Sequence, residues 1–338
     1  MLLSVIIPYY NADAWIGKML DSLMDQDLDP SDYEIIVVDD ESSQEPATLK
    51  DYASRYPQIT YHKVPHGGQA LARNYGLSVA KGEWIYFADA DDFLQPQVTA
   101  DILHVARERD LEIIIARFVL IAENEPMPAH PRRNFTTVSD TMTGLEYMAN
   151  LRIMFNWGVG TYWVKRALLQ EHGLTFEDVR FAEDRLFKVE LYQHVSRLAT
   201  VDVDAYYYVQ HESSFFHNER KQNNPVFIEG FLSFMERLVA LSRNPDTPSA
   251  VAESLKQRLD RTTFFTLRDA FLYSPVQVNR ALILRLEALG LYPIPHDAKD
   301  SFYIKCAKRL INHRRLWQFT HRIVHLLPDR CIHHMFHE

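Results

Sequence analysis

The chain has 338 residues, 47% of them hydrophobic and 24% charged, and a formal net charge of −9; this excludes intrinsic disorder and offers no basic stripe for a nucleic-acid partner. Its two cysteines, Cys306 and Cys331, exclude a disulfide framework or a zinc cluster, and no apolar run reaches the roughly 18 residues of a membrane span. A large domain plus a smaller one is expected, in a reducing cytoplasm, because the N-terminus opens on a strand instead of a signal peptide.

Leu3-Ser4-Val5-Ile6-Ile7-Pro8 reads as a short buried strand stopped by a proline. A helical pattern follows (Trp15, Met19, Leu20, Leu23), for which Asn11 or Asp13 is the candidate cap. A second apolar strand, Glu34–Val38, ends in Asp39-Asp40. Next come a helix over about 46–55, a strand from Ile59 to Val64, a helix over about 69–80 and the strand Trp84–Phe87. Ile- and Val-rich strands alternating with helices predict a mostly parallel sheet covered on both faces, and such sheets bind ligands beyond the carboxyl ends of their strands. Pro8-Tyr9-Tyr10-Asn11, Asp39-Asp40 and Asp89–Asp92 all fall at those ends.

The last strand runs straight into Asp89-Ala90-Asp91-Asp92. Carboxylates packed that closely repel unless a cation sits among them. Strand alternation would turn Asp89 and Asp91 to one side, a pair suited to Mg²⁺ or Mn²⁺ holding a diphosphate. A solvated acidic turn capping a helix opened by Gln95-Pro96 is the plainer alternative. Only 11 residues are glycine, yet Gly67, Gly68, Gly76 and Gly82 precede this run closely. Gly67-Gly68 would let backbone approach a ligand at a helix N-terminus, with Arg73 favouring phosphate or a base carbonyl.

These motifs together, Ser4–Asn11, Val37-Val38-Asp39-Asp40-Glu41-Ser42, Gly68 through Ala72-Arg73-Asn74 to Gly76, and Gly82–Asp92, resemble the family 2 inverting glycosyltransferases with the GT-A fold. The resemblance is specific over about residues 1–95 and weaker to about 215, where Glu183-Asp184-Arg185-Leu186-Phe187 and Tyr206–Ser214 look like later family segments. It implies an α/β GT-A domain over 1–215 (donor nucleotide half 1–95, acceptor half 96–215), a nucleotide-sugar donor, taken as a UDP-sugar, and Mn²⁺ or Mg²⁺ as cofactor. It further implies that Asp39 binds the nucleobase, Arg73 reaches a base carbonyl or phosphate, Asp89 contacts the ribose and Asp91 the metal, with Pro8 and Tyr10 as pocket wall. Glu183-Asp184 would hold the catalytic base, most often the Asp; an acidic helix start is the alternative reading. His211 is an added candidate metal ligand, or a His on a loop over the donor. Glu41 stands where the family usually has Gly, Val209 where Arg is common, and 160–166 lacks a frequent Lys.

Glu125–Arg133 is too rich in proline for a helix or a central strand, so about 118–140 reads as a loop lining the acceptor site. Trp157, Tyr162 and Trp163 would offer flat faces to a sugar or pack the core. Beyond 216 the pattern is helical, with a break at Pro245 and Pro248. Residues 299–338 carry eight Lys/Arg against three acids, a tail suited to an anionic membrane surface or to packing. The expected activity is metal-assisted, inverting sugar transfer to a saccharide or glycolipid hydroxyl in bacterial surface polysaccharide synthesis, at the inner face of the membrane. A silent GT-A binding protein and a sugar nucleotidyltransferase remain as alternatives.

Overall fold

The computed structural model describes residues 1–150, 158–211, 225–274, 276–295, 302–317 and 320. The chain divides into two compact units, Met1–His211 and Glu212–Glu338. The first opens with β1 (Leu3–Tyr9), α1 (Ile16–Met24), β2 (Tyr33–Asp39), α2 (Ala47–Arg55), β3 (Ile59–Lys63), α3 (Gly68–Val79) and β4 (Trp84–Phe87). It continues with β5 (Phe93–Leu94), α4 (Thr99–Glu108), β6 (Ile113–Ala122), β7 (Arg133–Val138), α5 (Gly144–Ala149), β8 (Tyr162–Lys165), α6 (Arg166–Glu171), α7 (Glu183–His194) and β9 (Leu198–Gln210).

Among the described residues the sheet runs β3-β2-β1-β4-β8-β6-β9-β5, with β7 paired to β9. The pairs β1–β2, β1–β4 and β2–β3 are parallel, whereas β8 is antiparallel to both β4 and β6. Every residue of β1 and β2 is buried, which explains their lack of polar alternation. Val5 and Ile7 join the cluster containing Met19, Leu20 and Leu23 of α1. Ile6 meets α3, where a Cβ on Gly76 would lie 2.4 Å from the Ile6 side chain. The two faces of β1 thus carry one helix each. Pro8 is tolerated inside the sheet because the β4 ladder ends at Ile6.

Three local expectations are corrected. The first helix has no side-chain cap, and its N-cap position is Trp15. Asn11 instead accepts from the backbone N–H groups of Ser43 and Gln44, and Asp13 from the Thr48 N–H, so they stitch the β1 end to the loop after β2 and to the first turn of α2. Gln95-Pro96 does not open a helix: Phe93-Leu94 pairs with β9, and α4 begins at Thr99. The loop expected over 118–140 shrinks to 123–132, because β6 and β7 extend along β9, whose 13 residues give both a partner.

The second unit contains α8 (Pro225–Arg243), α9 (Ser249–Tyr273), α10 (Val276–Leu289) and α11 (Phe302–Asn312). Asn312 exchanges hydrogen bonds with the Ile294 backbone at 2.9 and 2.8 Å, and Lys308 Nζ donates to the Pro295 carbonyl at 3.0 Å. Trp317 stacks on Phe271 with ring centroids 4.0 Å apart. The described part of the basic tail therefore packs its own unit through Lys308, Ile311 and Trp317, all buried.

Candidate active site

One side of the candidate site forms where β1 and β2 end. Asp39 is fully buried; its carboxylate accepts from the Ser42 N–H and the Tyr61 hydroxyl, both at 2.7 Å. Asp40, the neighbour that sequence reasoning left without a role, accepts from the N–H groups of Gly67 (2.7 Å) and Gly68 (2.9 Å) and lies 2.9 Å from His66 Nδ1. It caps α3, which has no side-chain cap of its own. Two N–H groups expected to face a phosphate are therefore already satisfied. Tyr10, half exposed, leans on His66 with ring centroids 5.2 Å apart, and Pro8 is buried. Glu41 adopts φ 59°, left-handed backbone that favours glycine, and its carboxylate accepts from the His66 N–H.

In the acidic turn after β4 each carboxylate finds a different partner. Asp89 accepts from Arg73 Nη2 at 2.8 Å. Asp91, 36% exposed at its side chain, lies 2.8 Å from Nε2 of the buried His211. Asp92 is buried and accepts from the Tyr206 hydroxyl and from the Val209 N–H, while Tyr206 accepts from the Asp89 N–H at 3.1 Å. Burial, then Asp89, pushes the Asp91 carboxyl above the usual range, outweighing His211. Burial together with its two acidic neighbours pushes Asp92 up further. Alternation does not carry past Phe87, where the strand ends; among the described residues Asp89 pairs with Arg73 and Asp91 with His211.

Arg73 is the hinge of the site. It is 2% exposed, and its guanidinium spans Asp89 and, at 2.9 Å through Nη1, Glu183. Burial alone would lower its pKa, but the two carboxylates outweigh burial and raise it. The side chain expected to reach a base carbonyl or phosphate is thus occupied in joining the acidic turn to the start of α7. Ala182, just before that start, sits in the left-handed region at φ 69°, a strain that proteins keep where surroundings enforce it. Asp184 accepts from the Arg185 N–H at 2.8 Å. Burial raises its pKa, partly offset by Arg185, Lys188 and Arg73. Burial and Asp184 likewise raise Glu183. One turn further on, Lys188 is wholly buried, donates to the Gly158 carbonyl at 2.6 Å and is lowered to about 7 by burial.

Of the proposed sugar-facing aromatics, Tyr162 and Trp163 are fully buried, and Trp163 stacks on Tyr86 at 4.5 Å. They are core residues. Trp157 lies outside the described residues. Sequence reasoning missed Asp40, Asp92, Tyr206 and Lys188. Asp40 and Asp92 stood inside motifs already noted. A lysine within an otherwise apolar helical face was the available signal for Lys188.

Among the described residues no group of three or more His, Cys, Asp or Glu forms a closed metal cage. Two donors, Asp91 and His211, do meet, beside Asp92, whose carboxyl is pushed up by burial and by its acidic neighbours. That set fits a divalent ion which completes its shell with phosphate oxygens and water.

Residues 4–169 match the model of the family described as Glycosyl transferase family 2, and this segment of the chain belongs to that family. Uncharacterized glycosyltransferase EpsJ of Bacillus subtilis is 31% identical over 218 residues, covering 63% of this chain and 62% of that protein. Poly(ribitol-phosphate) beta-N-acetylglucosaminyltransferase TarS of Staphylococcus aureus is 26% identical over 318 residues, covering 88% of this chain and 53% of that protein. The chain thus spans about half to three-fifths of these relatives' length. S. aureus TarS 1-349, solved in complex with UDP-GlcNAc, superposes with a TM-score of 0.71 at 20% identity, covering 100% of this chain and 92% of that one. The α/β GT-A fold is shared.

Proposed function

We propose that the chain is a metal-assisted, inverting glycosyltransferase using a UDP-sugar. The observation that carries this reading is the Asp89–Arg73–Glu183 bridge. It brings a donor-side acid and the helix start bearing Asp184 into one site, as a reaction at a single anomeric carbon requires.

In this reading Pro8, Tyr10, Asp39 and Asp40 shape the nucleotide pocket, Asp39 by holding Tyr61 and Ser42 in place and Asp40 by fixing the Gly67-Gly68 loop. Asp89 takes the ribose side. Asp91 and His211 would hold Mn²⁺ or Mg²⁺, which when bound neutralises charge growing on the departing diphosphate. Asp184 removes the proton of the acceptor hydroxyl as it attacks from the opposite face. Its raised pKa strengthens it as a base, and Glu183 holds the helix start to Arg73. The acceptor is a saccharide or glycolipid hydroxyl, in keeping with the relatives named for poly(ribitol-phosphate) glycosylation. No described helix is long and apolar enough to cross a membrane; exposed Arg309 and Arg315 in the described tail support peripheral contact with anionic lipid.

The test is a panel of nucleotide sugars, followed by UDP release with and without Mn²⁺ or Mg²⁺. Metal-dependent UDP release from one donor is expected, and Asp184→Asn should keep donor binding while losing transfer. A chain that instead consumes a nucleoside triphosphate and a sugar phosphate is a nucleotidyltransferase, and the reading fails.

A further inference from the structure

The indole of Trp15 lies flat on the imidazole of His211, with ring centroids 5.0 Å apart and planes 23° from parallel. Its Nε1 donates to Glu123 Oε1 at 3.3 Å. These partners lie one residue beyond the ends of β9 and β6, whose last pairs are Ile121 with Val209 and Ala122 with Gln210. The Glu123 N–H continues that ladder by donating to the Gln210 carbonyl at 3.3 Å. Trp15 itself holds the N-cap position of α1, where a small polar side chain would ordinarily sit. One side chain therefore ties the start of α1 to both strand ends at the point where His211 leaves the sheet.

We propose that Trp15 is the positioning residue of the metal site: its stack on His211 fixes the plane of the imidazole so that Nε2 is presented to a divalent cation shared with Asp91. The inference rests on the metal reading above. A nitrogen lone pair binds only along the ring plane, so a histidine ligand needs its ring held. Neighbouring groups that orient such ligands typically govern metal affinity about 10- to 100-fold. The indole face also attracts positive charge, which an imidazole acquires on coordination. Nε2 lies 2.8 Å from Asp91 Oδ2, so the two donors converge on one point. The stack makes Trp15 an optical reporter as well, since a paramagnetic ion on His211 would lie close to the indole. Of the other described tryptophans, Trp84 and Trp163 are fully buried and Trp317 belongs to the second unit.

The experiment uses the full chain with UDP. Mn²⁺ affinity is read from the electron paramagnetic resonance signal of free Mn²⁺, UDP affinity from titration in EDTA, and indole emission from the same samples. For the wild-type chain, Mn²⁺ quenches part of the emission and Mg²⁺ does not. Trp15→Ala weakens Mn²⁺ binding about 10-fold while leaving UDP affinity in EDTA unchanged. Trp15→Phe, which keeps a ring over His211, restores Mn²⁺ affinity to within about twofold but loses the quench. In a His211→Ala background, Trp15→Ala has no further effect on Mn²⁺, because the two act through one contact.

Unchanged Mn²⁺ affinity in Trp15→Ala overturns the proposal. So does a parallel loss of metal-free UDP affinity, or an undiminished effect without His211, since either marks Trp15 as general packing. Should Trp15→Ala fail to fold, a quench that persists in Trp15→Phe overturns it, and a quench that vanishes with Mn²⁺ affinity retained supports it. A wild-type chain that binds UDP but never Mn²⁺ sinks the metal reading itself, which is a distinct result.

Discussion

Arg73 shows how a single residue binds two halves of a site. Removing it leaves Asp89 and Glu183 without their shared cation, and a broken buried pair typically costs about 3–5 kcal/mol. Arg73→Met should therefore lower stability by that order in urea unfolding. The loss should be smaller at acidic pH, where protonated carboxyls need no partner. Lys188 gives a second, signed expectation. Its pKa is about 7 when folded and roughly 10.4 when unfolded, so between those values the unfolded chain binds the extra proton and stability rises with pH. The stability of wild type minus Lys188→Met should climb across that window; a flat difference would mean the lysine stays charged in the folded chain. Residue types were legible from the sequence, because Asp39, Arg73, Asp89, Asp91 and Glu183-Asp184 stand in recognisable runs. Their partners were not: no spacing rule joins Arg73 to Glu183 across 110 positions. Glu41 is the instructive intermediate. The family's usual glycine at that position is explained by a positive φ, which only coordinates disclose.

At the scale of elements, the long strand β9 organises the later part of the first unit. It pairs with β6, β5 and β7, and its Tyr206 ties back to Asp89 and Asp92 in the acidic turn. Gly160 makes room for that tyrosine: a Cβ there would come within 2.3 Å of the Tyr206 ring. Gly160→Ala should consequently cost about 1–3 kcal/mol in thermal or urea unfolding, as overpacking does. It should also slow donor turnover by shifting the acidic turn; unchanged stability and turnover would show that the ring can yield. The first four strands and α2 and α3 were readable to within a residue or two, since continuous Ile/Val runs and clean helical spacing leave little ambiguity. The second half of β6 and all of β7 read as loop because Glu125–Arg133 between them is rich in proline and their own positions are partly exposed; pairing to β9, a tertiary fact, decides their state. The α1 cap differs from expectation for a similar reason: Asn11 accepts from the loop after β2 and Asp13 from the first turn of α2, 32 and 35 positions away.

The whole molecule joins a GT-A unit to a helical one, and the tail shows how composition alone can mislead about a surface. Eight basic residues over 299–338 suggested a membrane-facing stretch, yet Lys308 and Trp317 are buried within the second unit. Any lipid contact of the described tail falls to residues such as Arg309 and Arg315. Arg309→Glu with Arg315→Glu should reduce co-sedimentation with anionic vesicles severalfold at low salt and leave UDP binding intact. Equal sedimentation would assign the tail to packing alone.

Whether a divalent ion joins the acidic turn to a nucleotide diphosphate is tested most directly by crystals grown with UDP and Mn²⁺, through anomalous scattering from manganese. The predicted map places one manganese peak within coordinating distance of Asp91 and His211 and of the phosphate oxygens. UDP bound in the same pocket with no peak beside Asp91 would contradict it.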